Sequence, residues 1–74
     1  MTVEAMMARA DPEMPINIID GAIRNVYRGR VGAIPLAALG REVTEKRVTY
    51  FPEYARFGVE LEVETEARRR ARSL

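Results

Sequence analysis

Three carboxylates and one amide, Asp11, Glu13, Asn17 and Asp20, are the residues of this chain best placed by type and spacing to do chemistry. They fall within Asp11-Pro12-Glu13-Met14-Pro15-Ile16-Asn17-Ile18-Ile19-Asp20-Gly21. Oxygen donors of this kind can hold a hard cation, move a proton, or recognise a partner through charge and hydrogen bonds. A hard cation would need more oxygen ligands than this stretch supplies, so no metal site is expected. The sequence contains no His and no Cys, which removes the usual general base and the thiolate nucleophile. Gly29-Arg30-Val31-Gly32 lacks the Lys-Ser/Thr pair that a phosphate loop needs. No catalytic residue and no cofactor is assigned, and recognition remains.

Local chemistry sets how those four side chains are displayed. Pro12 and Pro15 hold φ at about −65° and push Asp11 and Met14 out of the helical region. The stretch is therefore a rigid, extended connector. Asp11 suits an Asx turn onto the amide two residues on, and Asp20-Gly21 suits a turn with positive φ at the glycine. Asn17 is suited to bridging neighbouring elements. Glu13 has no turn to make and is the residue freest to reach a partner. Asp11, Glu13, Asn17 and Asp20 together are the partner-binding candidates.

The connector resembles the signature Asp-Pro-Glu-apolar-Pro-apolar-Asn-Ile-apolar-Asp-Leu-Gly of the small iron–sulfur-cluster assembly domain family, SufT- and PaaD-like. The match lacks the Leu between Asp20 and Gly21. The resemblance is specific over roughly the first 28 residues. It implies an accessory protein of iron–sulfur cluster assembly or maturation, acting on a client enzyme by protein–protein interaction. The family usually carries a cysteine in a loop after its hairpin, where this chain has Gly32-Ala33-Ile34-Pro35-Leu36. Without that thiolate, direct ligation of iron or a cluster is not implied. Other readings are a small structural subunit of a multicomponent enzyme such as an oxygenase, and a small virion or nucleic-acid-associated protein.

Composition bounds these readings. With 74 residues the chain makes one domain, residues 1–74, and at this size it buries only about 60–65% of its unfolded surface. A hydrophobic content of 47% supports one small core, but neither a disulfide nor a structural zinc can staple it. A larger protein partner, or a homo-oligomer, is the remaining usual source of extra stability. The absence of Cys gives no argument for secretion. Val31–Gly40, the longest uncharged run, is too short to cross a bilayer. The first residues do not read as a signal peptide, and the expected location is the cytoplasm.

Twelve basic and eleven acidic residues give a net charge of +1, so no global field attracts nucleic acid. The charges are segregated near the C-terminus, where glutamates at 60, 62, 64 and 66 precede a basic tail of Arg68, Arg69, Arg70 and Arg72. A short helix with Glu early and Arg late explains the order. No aromatic side chain lies among the arginines to stack on bases, so nucleic-acid binding is not favoured.

Elements must position these residues. Thr2 can cap a helix running through Ala10 with Val3, Met6, Met7 and Ala10 on one face. Residues 16–27 fit either a helical stripe or a strand. Arg28-Gly29-Arg30 is a turn candidate for a hairpin between Ile23–Tyr27 and Val31–Ile34. Pro35 can open a second helix carrying Leu36, Leu39 and Val43, with Gly40 a weak point, and the family resemblance implies that it covers Leu36–Arg47. Phe57, Val59, Leu61 and Val63 alternate with Gly58, Glu60, Glu62 and Glu64, as in a strand with one buried face. The fold expected is a small α+β domain in helix–hairpin–helix–strand order, with a short three-stranded sheet and two helices.

Overall fold

A computed structural model describes residues 1–21 and 24–73, the side chains of Glu66, Arg69, Arg72 and Ser73 excepted. Thr2 caps α1 (Val3–Met7) by accepting a 3.2 Å hydrogen bond from the Ala5 amide on its Oγ1. The helix is shorter than the expected run to Ala10. Turn bonds from Ala10 N to Met7 O and from Met14 N to Asp11 O lead the chain through the connector into β1 (Pro15–Asp20).

β1 turns back at Gly21, whose φ of +65° is open to glycine at no steric cost. It pairs antiparallel with β2 (Arg24–Arg30). Strand therefore wins over helix for the segment that fits both periods. The hairpin is not the expected one: Arg28, Gly29 and Arg30 lie inside β2, with Gly29 opposite Ile16, and the turn sits at Asp20-Gly21. Ile23, the expected start of a strand, lies outside the described residues.

A single 3₁₀ turn over Val31–Ala33 leads to α2 (Leu36–Leu39), which stops at Gly40. The second helix expected through Arg47 is overturned there, because β3 (Val43–Phe51) occupies its latter half. Val43-Thr44 and Val48-Thr49-Tyr50-Phe51 are β-branched and aromatic residues that favour the pleated backbone. β4 (Arg56–Val63) and α3 (Glu66–Ser73) complete the chain. Thr65 caps α3, its Oγ1 accepting from Arg68 N at 3.2 Å.

The sheet has four strands in the order β2-β1-β4-β3, with β1 and β4 parallel and the outer pairs antiparallel. This corrects both the three-stranded sheet and the helix–hairpin–helix–strand order. Two hairpins lie side by side, and the segment containing α2 crosses from one edge to the other. None of the helices among the described residues is long and apolar enough to cross a membrane.

Register assigns the faces. Ile16 opposes Val59, Ile18 opposes Leu61 and Asp20 opposes Val63. Ile16, Ile18, Val59, Leu61 and Val63 meet Val3, Met7 and Ala38 in the core, so α1 and α2 cover this face. Complete burial of each Ile or Leu contributes about 1.5–3 kcal/mol. The opposite face carries Asn17 beside Glu60 and Ile19 beside Glu62.

The expected face of β4 holds for Val59, Leu61 and Val63, at 7%, 0% and 1% exposure, but Phe57 is 65% exposed. It sits at the start of the strand, beyond the helical cover. Glu64, expected in water, is buried. Gly58 backs directly onto Pro15, and a Cβ there would collide with the Pro15 carbonyl oxygen.

Candidate functional site

Each of the four connector residues is tied to a different part of the fold. Asp11 makes the Asx turn, its Oδ1 accepting from Glu13 N at 2.9 Å, while its Oδ2 lies 3.7 Å from Arg56 Nη2. Glu13 reaches Arg30 Nε at 3.2 Å across the exposed end of the sheet. Asn17 is buried at 5% exposure: it donates from Nδ2 to Glu60 Oε2 (3.0 Å) and accepts on Oδ1 from Asn25 Nδ2 (2.6 Å). Asp20 meets Arg41 Nη2 at 2.8 Å in a largely enclosed pair.

The four candidates therefore separate into two groups. Asn17 bridges side chains of the flanking strands, and Asp20 closes the far end of β1. Both serve the architecture. Asp11 and Glu13 remain on the surface, together at the end where β1 begins. Exposed pairs such as theirs are worth only about 0.2–1 kcal/mol each and exchange readily with outside partners.

Around Asp11 and Glu13 the β3–β4 turn adds further groups. Glu13, Arg30, Glu53, Tyr54, Ala55 and Arg56 line an open depression of about 410 Å³. Glu53 accepts two bonds from Arg28, at 2.6 Å from Nε and 3.1 Å from Nη2. That bond to Arg28 holds the Glu53 carboxyl below the usual carboxylate range. The Arg28 guanidinium lies 4.6 Å from the centre of the Phe51 ring, and that of Arg30 4.9 Å from the Tyr54 ring. Phe51 is fully buried yet stands apart from the main core. It anchors the turn from the opposite face. The surface alternates acid and base beside the Tyr54 ring, and its Tyr and Arg side chains are of types enriched at protein contacts.

A second polar row runs across the outer face. Arg28, Asn17, Glu60 and Arg47 lie in register on β2, β1, β4 and β3. Arg47 contacts Glu45, Glu60 and Glu62 at 2.9, 3.1 and 3.5 Å. The Glu60 carboxyl is held below the usual range, first by the Asn17 amide and then by Arg47, while burial pushes the other way. These groups satisfy one another and leave little to offer a ligand.

Among the described residues no three carboxylates converge as cation ligands. In the basic tail, Arg68 and Arg70 are exposed on α3, and the side chains of Arg69 and Arg72 lie outside the described ones. The sequence reasoning missed Arg28, Arg30, Glu53, Tyr54 and Arg56 as parts of a surface. No local spacing marks them, because Arg28 and Glu53 are 25 positions apart and come together only through the sheet. No family model, curated protein or solved structure matches this chain.

Proposed function

We propose that this chain is a non-catalytic accessory protein of the cytoplasm that acts by contact with a larger client protein. Its resemblance to the iron–sulfur-cluster assembly family suggests that the client is an iron–sulfur enzyme or its assembly machinery. The observation that carries the reading is the placement of Asp11 and Glu13. Glu13 lines one depression with Arg30, Glu53, Tyr54 and Arg56, and Asp11 lies beside it, 3.7 Å from Arg56. A client with an oppositely ordered set of charges would exchange the weak internal pairs for its own and desolvate them in the process.

The test is native mass spectrometry of the endogenous protein beside two variants. Wild type is expected to carry an iron–sulfur protein in fixed stoichiometry. Glu13→Arg should lose it, and Glu13→Arg/Arg30→Glu, which restores the internal pair in reverse, should fail to recover it. Retention of the client by both variants, or a client unrelated to iron–sulfur proteins, overturns the reading.

A further inference from the structure

β3 is the longest strand of the sheet and lies at its edge. An edge strand presents unpaired backbone donors and acceptors that template pairing with another chain. The opposite edge, β2, carries Arg24, Arg28 and Arg30, charges that discourage such pairing. The second half of β3 has no such protection. Val48 is 74% exposed and Tyr50 49%, and Tyr50 stacks edge-on against the exposed Phe57 with ring centres 5.1 Å apart. All three lie on the core face, beyond the reach of the helices.

We propose that two copies of this chain pair antiparallel along β3 about a two-fold axis at Val48, joining two four-stranded sheets into one. Directly opposed residues of an antiparallel pair share a face, so an axis normal to the sheet must pass through a residue position. Axes at Glu45, Lys46 or Arg47 would set that charge against itself, which is destabilising. Axes at Thr49 or Tyr50 would pair only the last residues of the strand. The axis at Val48 pairs Glu45–Phe51 of each copy with no like charges opposed.

In that register Val48 meets Val48 of the second copy, and Lys46 lies opposite Tyr50 of the second copy. There the ammonium can reach the face of the ring. Arg47 meets Thr49 and Glu45 meets Phe51 on the outer face. Arg47 is already neutralised by Glu45, Glu60 and Glu62. The apolar strip of one copy then continues into that of the other; like charge excludes the axes at Glu45, Lys46 and Arg47, and the length paired favours Val48 over Thr49 and Tyr50. The interface is small for an obligate dimer, so the pair should dissociate on dilution. Glu13 and Arg30 lie away from this edge, so the client contact and the dimer can fail separately.

Sedimentation equilibrium on the full-length chain tests the idea, alongside Val48→Lys and two single-cysteine variants in a background without Cys. Wild type should shift from monomer toward dimer with rising concentration, and Val48→Lys should stay monomeric with an unchanged circular dichroism spectrum. Val48→Cys should cross-link at least tenfold faster on oxidation than Thr44→Cys, because only the former sits at the axis. A wild type that stays monomeric up to about 1 mM, the range of weak association, overturns the proposal. So does an undiminished dimer in Val48→Lys, or equal cross-linking of the two cysteine variants.

Discussion

Arg41 closes on Asp20 through a 2.8 Å contact, with only 13% and 10% of the two side chains exposed. The same Nη2 donates to the Glu64 carbonyl at 2.7 Å, so one guanidinium ties the end of β1 to the end of β4 just before β3 begins. Its Nε is the buried side-chain polar atom left without a partner among the described residues. Removing one member of so enclosed a pair leaves the other charge poorly compensated. Arg41→Ala should therefore cost about 3–5 kcal/mol in urea unfolding, while Asp20→Asn/Arg41→Met should cost far less. Equal losses in both variants would show that the pair has little coupling.

Glu60 links acid sensitivity to the outer face. Its folded carboxyl titrates below the ordinary value, through the Asn17 amide first and Arg47 second. A depressed folded pKa gives stability that is fully present above the unfolded value of about 4.3 and is lost as pH falls through the folded one. Glu60→Gln should be less stable than wild type at neutral pH and lose less on acidification below that point. Unfolding midpoints recorded from pH 7 down to pH 2 would reveal parallel curves if the idea is wrong.

Val59 and Phe57 share a strand and a face but not a fate. Val59→Asp should cost several kcal/mol, since it buries an unpaired charge at a site 7% exposed. Phe57→Ser should leave the monomer's melting temperature nearly unchanged, because most of that ring is already in water. Thermal melts at low protein concentration compare them. A large loss for Phe57→Ser would mean that the helices cover more of the face than the geometry indicates.

Ala55 holds φ at +51° in the β3–β4 turn, the non-glycine residue with positive φ among those described. That conformation costs a side chain about 1–2 kcal/mol, part of which is offset by the freedom glycine adds to the unfolded chain. Ala55→Gly should raise stability by about 0.5–1 kcal/mol in urea melts. A loss of stability would mean that the methyl group's contacts outweigh the strain.

Phe51 carries a larger effect on the same turn. It is fully buried between the Arg28 guanidinium and Tyr54, whose ring centre is 6.5 Å away. Phe51→Ala should cost about 3–5 kcal/mol. The loss should be accompanied by increased amide exchange in the turn.

The sequence by itself determined the local features. Thr2 reads as a cap, Asp11 as an Asx turn and Asp20-Gly21 as a positive-φ turn, because each rests on contacts within a few residues. The alternation of Phe57–Glu64 with Val59, Leu61 and Val63 on one side marks a strand, since the period of two is itself the geometry. Tertiary structure decided the rest. Residues 36–47 fit a helix by the spacing of Leu36, Leu39 and Val43, but pairing of β3 with β4 fixes Val43 onward as strand. Such pairing is invisible to any local period.

The site divides the same way. The motif residues could be named from their chemistry, but not which of them would stay exposed. Asn17 and Asp20 find Glu60, Asn25 and Arg41 through the sheet and disappear into the architecture. Asp11 and Glu13, at the open end where the helices give no cover, are left facing outward beside a turn that lies some forty positions away in the chain. Burial is a property of the folded neighbourhood, and no spacing along the chain encodes it.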